Sequence, residues 1–196
     1  MHNIYSLLEI SATFAGLVRR NQSTRPFVLT RSFFAGAQKY AAVWTGDCKA
    51  SWDHLRLNLS ILQNLSMCGI NFCGSDIPGF FGEASDEMTV RGYQAGVFFP
   101  FMRGHADKQC KRREPWMLGK DTCQLISEAI HLRYELLPYL YTTFYHNAHS
   151  RTWPVVTPLW AAFKDTENEG IRSIEDQFMF GSAFLAKPIC APDVKV

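Results

Sequence analysis

Ala41-Ala-Val-Trp-Thr45 stops at Gly46-Asp47, Gly69-Ile-Asn-Phe-Cys73 stops at Gly74-Ser75-Asp76, and Val97-Phe-Phe-Pro-Phe-Met102 stops at Arg103-Gly104-His105. Each is a short apolar run of strand length that ends on a charged or titratable side chain. Asp47 to Asp76 is a step of 29 residues, and Asp76 to His105 is another 29. A (β/α)8 barrel of ordinary size gives about 31 residues to each strand-helix unit. The two steps therefore read as consecutive barrel units. They are not a sequence repeat, because the helices between them share no pattern.

The flanks fit that plan. Ser51 is placed to cap a helix through Met67, with Leu55, Leu59, Leu62 and Leu65 on one face and Gly69 ending it. Ser85 is placed to cap the next, with Asp86 and Glu87 in its first turn. Upstream, Pro26-Phe-Val-Leu-Thr30 is a fourth apolar run and stops at Arg31. Arg31 to Asp47 is only 16 residues, too short for a helical crossover, so that connection is expected to be abbreviated. Residues 3–19 read as a helix with Ile4, Leu7, Leu8, Ala12 and Ala15 on its apolar face. A long helix is expected from Asp121, with Gln124 in a capping box and Leu125, Ile126, Ala129, Leu132, Leu136 and Leu140 inward. Pro138 is expected to kink it. After about residue 150 the texture turns to short strands and turns: Val155–Trp160, the acidic turn Asp165–Gly170, and Gln177–Pro188.

The expected fold is α/β: units of a (β/α)8 TIM barrel over residues 1–150, then the start of a β domain over 151–196. Composition agrees, with 47% hydrophobic and 19% charged residues, which is globular and not disordered. The net charge of +2 and the isolated run Lys111-Arg112-Arg113, read as a solvated turn, argue against nucleic acid as a partner. No apolar run is long enough to span a bilayer, and Met1–Phe14 has no basic start or cleavage site of a targeting signal. The six cysteines form no Cys-x-x-Cys pair, so no metal site is expected and most read as buried thiols. Of three sequons, Asn58-Leu-Ser and Asn64-Leu-Ser fall on a helix.

In a barrel, the C-terminal ends of the strands build the active site. Arg31, Asp47, Asp76 and His105 are expected on one rim, converging on a cleft. A carboxylate there accepts sugar hydroxyls, Arg and His donate to them, and Trp44 and Phe80 are rings on which a pyranose face stacks. Each has a plainer reading. Asp47 and Asp76 sit in good turns, Arg31 would suit a core carboxylate, His105 a structural hydrogen bond, and the two rings a core. Spacing by itself supports no more than a barrel enzyme.

Longer motifs narrow this. Arg25-Pro-Phe-Val-Leu-Thr-Arg-Ser-Phe-Phe-Ala-Gly36, Val43-Trp-Thr-Gly-Asp47, Trp52-Asp-His-Leu55, Phe72-Cys-Gly-Ser-Asp76, Pro100-Phe-Met-Arg-Gly-His105 and Arg112-Arg-Glu-Pro-Trp116 together resemble glycoside hydrolase family 31, in its glucosidase II-like branch of α-glucosidases. The resemblance runs from His2 to about Pro188 and implies the C-terminal part of the (β/α)8 TIM barrel over 1–150, followed by the beginning of a β-sandwich domain over 151–196. It implies a retaining α-glucosidase, a hydrolase of carbohydrate metabolism that removes terminal α-linked glucose from oligosaccharides or N-glycans without a cofactor. It places the catalytic acid/base on Asp47 and substrate binding on Arg31, Trp44, Asp76, Phe80, Arg103 and His105. It also implies the endoplasmic reticulum lumen as location and a non-catalytic β-subunit as partner. The family nucleophile sits in a Trp-x-Asp-Met-Asn-Glu motif, which these residues do not contain. The chain therefore reads as a fragment lacking the nucleophile, expected to be inactive and aggregation-prone alone. The alternative reading is a non-catalytic truncated product or a carbohydrate-binding remnant. Cys48 stands where this branch usually has Asn, and Thr157 where Arg is usual before Pro-Leu. These two bear on substrate fit and interdomain packing.

Overall fold

The computed structural model describes residues 2–150, 153–163 and 169–194. Four helices and five very short parallel strands come first: α1 (Tyr5–Arg20), β1 (Leu29–Thr30), β2 (Ala42–Trp44), α2 (Trp52–Met67), β3 (Cys73–Gly74), β4 (Asp76–Pro78), α3 (Asp86–Gly96), β5 (Arg103–His105) and α4 (Lys120–Ser150). Strands β1, β2 and β3 pair in that order, in parallel. One residue beyond β3 the chain changes partner, and β4 pairs in parallel with β5. Cys73–Pro78 is thus one extended passage serving two sheets.

The two 29-residue steps are βα units, with α2 between β2 and β3 and α3 between β4 and β5. The short step from Arg31 to Asp47 holds only a 3-10 turn, Ala37–Lys39, as its length requires. Ser51 caps α2 by accepting from the His54 N–H, and Ser85 caps α3 by accepting from the Met88 N–H. Gly69 ends α2 at φ +84°, a left-handed conformation that a side chain disfavours. Leu55, Leu59 and Leu62 of α2 are buried against Val43, Ile70 and Cys73 in a core that continues through Ile77, Val97, Phe99 and Ile126.

Four expectations need correction. The apolar run 97–102 is not a strand. The pairing strand is β5 at 103–105, so Arg103 and His105 lie inside it, and Asp76 likewise opens β4 where a strand end was expected. The reason is Arg133, which donates to the carbonyls of Val97 (2.7 Å) and Pro100 (2.9 Å) and holds the run as a turn. In α1 the buried positions are Ser6 and Ile10, while Ile4, Leu8, Ala12 and Ala15 are exposed. The face is rotated, and Phe14 meets Tyr40 edge-on at 5.7 Å. In α4 the inward stripe is Ile126, Ala129, Arg133, Leu136 and Leu140, and Leu125 and Leu132 face solvent. Gln124 bonds Glu128 instead of forming a capping box.

The C-terminal part is an antiparallel sheet of β6 (Val156–Pro158), β7 (Phe178–Phe180) and β8 (Phe184–Ala186), with short helices α5 (Leu159–Ala162) and α6 (Glu169–Arg172). Trp160 is therefore helical rather than part of a strand, and residues 165–168 of the expected acidic turn lie outside the described residues. Asn71 joins this sheet to the first part. Its Oδ1 accepts from Ser66 Oγ and from the Val155 N–H, both at 2.8 Å, and its Nδ2 donates to Asn147 Oδ1. Asn147 Nδ2 in turn donates to the Trp153 carbonyl, and Ser66 Oγ accepts from the Val156 N–H. Among the described residues no helix is long and apolar enough to cross a membrane.

Candidate active site

The loop after β2 carries Asp47. Gly46 precedes it at φ +82°, and a Cβ there would stand 3.0 Å from Arg31 Nε. A glycine lets the backbone turn while Arg31 lies close over it. Arg31 Nη1 then donates to Asp47 Oδ2 at 3.1 Å. Both ends of this pair are open to solvent, with 57% of the Arg31 side chain and 27% of the Asp47 side chain exposed.

Asp76 is the opposite case, with only 1% of its side chain exposed. Its Oδ1 accepts from Arg103 Nη2 and, at 3.2 Å, from Arg103 Nε, across the β4–β5 pairing that sets Asp76 beside Arg103. The Arg103 guanidinium lies over the Trp44 ring, 5.3 Å from its centre. Two buried polar atoms here have no protein partner among the described residues, Asp76 Oδ2 and Trp44 Nε1. Buried groups of this kind are normally satisfied, so an acceptor and a donor stand ready for a ligand. Phe80 follows β4 and stacks on the His105 ring at 5.3 Å, tilted by 29°.

The geometry thus forms four contacts among the seven sequence candidates: Arg31 with Asp47, Arg103 with Trp44, Arg103 with Asp76, and Phe80 with His105. Backbone bonds link them. The Phe80 N–H donates to the Cys48 carbonyl at 2.7 Å, one residue past Asp47, and Cys48 Sγ lies 3.8 Å from the Asp76 carbonyl. The set offers one partly exposed carboxylate, one buried carboxylate, two cations and three rings, a donor set suited to a neutral polyol and not to a metal ion. Among the described residues no group of three His, Cys, Asp or Glu side chains could hold a metal.

The model described as the glycosyl hydrolases family 31 TIM-barrel domain matches residues 1–143, and that of the glycosyl hydrolase family 31 C-terminal domain matches residues 152–196. The chain belongs to glycoside hydrolase family 31. Among its family 31 relatives, neutral alpha-glucosidase C of Mus musculus is 51% identical over 193 residues, covering 98% of this chain and 21% of the relative. A probable glucan 1,3-alpha-glucosidase of Oryza sativa subsp. japonica is 47% identical over 193 residues, covering 96% and 20%. The solved heterodimeric complex of ER glucosidase II, consisting of catalytic subunit and the binding domain of regulatory subunit, superposes with a TM-score of 0.91 at 39% identity, covering 98% of this chain and 21% of that one. The chain therefore spans about a fifth of the length of the curated relatives it matches. The fold is mixed α/β, like the barrel and C-terminal domains of family 31 structures.

Two residues that hold the segments around these candidates carry no signal in the spacing argument. Arg133 sits at a core position of α4, where a hydrophobe fits the helical period. Burial lowers its guanidinium to about 10, and its partners are carbonyls rather than a carboxylate. Arg113, the last residue of a basic triplet, turns inward while Arg112 pairs with Glu114 in solvent. The cysteines divide. Cys48, Cys73 and Cys190 are buried, Cys110 and Cys123 are half-buried, Cys68 is exposed, and all are free thiols. Burial pushes Cys73 up to about 12 and Cys190 to about 11, which leaves both unreactive near neutrality. Asn58 of the second sequon is buried and accepts from Thr45 Oγ1, so that site is closed to glycosylation.

Proposed function

We propose that these residues form the acid/base side of a retaining α-glucosidase site. Asp47 protonates the leaving glycosidic oxygen and then deprotonates the attacking water. A retaining enzyme needs a second carboxylate about 5–5.5 Å away to form the glycosyl-enzyme intermediate. Asp76 does not suit that task, because it is buried and one oxygen is taken by Arg103. We therefore place the nucleophile outside these residues, in the family motif that they lack. Asp76 Oδ2, Trp44 Nε1, Arg103 and His105 hold the hydroxyls of the terminal glucose, Phe80 and Trp44 face its ring, and Arg31 steadies Asp47. The contrast between a partly exposed Asp47 and a buried Asp76 carries the reading, since of the two carboxylates only Asp47 is open to solvent.

The finer reading follows the relatives. The substrate is an α-glucoside oligosaccharide or an N-glycan, and no cofactor takes part. The strands are the C-terminal part of the barrel, and residues 151–196 begin a β-sandwich. Likeness to the glucosidase II heterodimer supports a regulatory subunit as partner and the endoplasmic reticulum lumen as location.

The test is an exchange protein, in which these residues replace the matching segment of mouse neutral alpha-glucosidase C. It should hydrolyse p-nitrophenyl α-glucoside, and Asp47→Asn should lower kcat by about 10²–10⁴-fold, the usual contribution of a general acid/base. The bare chain should show no turnover. Glucose binding by an exchange protein with no turnover would favour the non-catalytic, carbohydrate-binding reading. Turnover by the bare chain that is lost in Asp76→Asn would reverse the roles assigned to the two aspartates.

A further inference from the structure

Phe80 lies in a loop between β4 and α3 whose shape depends on bonds to other segments. Only one isolated bridge, Lys49 to Phe81, ties residues 79–83 to regular pairing among the described residues. On one side the N–H groups of Phe80 and Phe81 both donate to the Cys48 carbonyl. On the other side a single guanidinium gathers the loop's carbonyls. Arg113 Nη2 donates to Gly79 O at 2.7 Å and to Phe80 O at 3.4 Å, and Nη1 donates to Gly82 O at 3.3 Å. Two neighbours reinforce it. Cys110 Sγ donates to the carbonyls of Phe80 (3.6 Å) and Gly82 (3.5 Å), and the Asp107 N–H donates to Phe80 O at 3.0 Å. The loop is held between the segment that follows Asp47 and the segment that follows His105. The side chain it presents is Phe80, stacked on His105.

We propose that Arg113 is a positioning residue for glucose binding: it fixes the Phe80 loop so that the Phe80 and His105 rings keep one mutual orientation. The inference rests on the reading of Phe80 and His105 as glucose-holding residues and adds a residue that this reading does not include. The chemistry favours arginine. Its planar fork spans carbonyls from residues 79, 80 and 82 at once, and charged donors make the stronger hydrogen bonds to carbonyl oxygen. A lysine ammonium is a point donor on a flexible stem and cannot bridge them in a fixed plane.

The test uses Arg113→Gln and Arg113→Lys in the exchange protein. Small misplacements of binding groups cost up to about 10²-fold, so Arg113→Gln should raise KM and lower kcat/KM by about tenfold. Arg113→Lys should recover only part of that loss. The pH limbs of kcat should stay in place, because Asp47 is untouched. Peptide-resolved hydrogen exchange on the same variants should quicken in 79–83 and 107–111, with α2 and α4 unchanged. An unchanged KM, full recovery by lysine, or exchange rising evenly across α2 and α4 would overturn the proposal. Turnover by the unsubstituted exchange protein tests the glucosidase reading by itself. If that protein has no turnover, its hydrogen-exchange pattern still decides whether Arg113 holds the loop, and no local quickening would refute it.

Discussion

Arg31 with Asp47 and Arg103 with Asp76 use the same two residue types on one set of parallel strands, yet the two regions are built to opposite ends. The Asp47 region is open: its arginine comes from the far side of an abbreviated connection, and more than half of that side chain is solvated. The Asp76 region is closed: its arginine comes from the paired strand, and only 1% of the carboxylate side chain is exposed. An exposed pair contributes about 0–1 kcal/mol and is easily parted. A buried pair is costly to break, because the survivor is left charged and unsolvated. The difference assigns work to each. A group that must give up and regain a proton is better held loosely, and a group that must present one oxygen at a fixed point is better held tightly.

The largest expected effect breaks the closed side. Asp76→Ala should destabilise the region by up to about 3 kcal/mol, because it leaves a partly buried Arg103 without its carboxylate. Urea-dependent hydrogen exchange across residues 73–105 reads this within the exchange protein. A loss under 1 kcal/mol would show that solvent reaches the pair. A milder effect sharpens the comparison: Asp76→Leu combined with Arg103→Met should recover most of that stability, since a buried ion pair is often no better than apolar groups of similar volume. Glucose binding should not return with it. The smallest effect is on the open side. Arg31→Met should change stability by no more than about 1 kcal/mol and, in the wild-type background, lose that difference in high salt. A loss of several kcal/mol would mean that the two regions do not differ as described.

Much of this was legible in the sequence where one residue decides one feature. Ser51, Ser85 and Gly69 bound their helices as read, and the two equal steps are βα units. The family motifs named the site candidates, and the pairing of Asp76 with Arg103 and of Phe80 with His105 brings four of them into contact. What the sequence hid depends on contacts between distant segments. Residues 97–102 have the composition of a strand, but a guanidinium from α4 takes two of their carbonyls and moves the strand to 103–105. Arg133 occupies a position in the helical period that a hydrophobe would fill, so periodicity could not single it out. Arg113 sits in a run of charge, and no local pattern tells which of three cations turns inward. The buried face of α1 is set by a distant contact, Phe14 edge-on to Tyr40, rather than by helical spacing.

The Asn71 network has a consequence for anyone cutting or recombining genes of this kind. The two matched domain models stop and restart at residues 143 and 152, which makes that interval the natural place for a crossover. Ser66 and Asn71 lie before it, Asn147 lies within it, and Trp153, Val155 and Val156 lie after it, joined by the bonds that cross it. A hybrid joined there inherits both halves of every contact only if its two parents agree at Ser66, Asn71 and Asn147. Parents that differ at those positions would yield offspring whose strands are individually sound and whose seam is not.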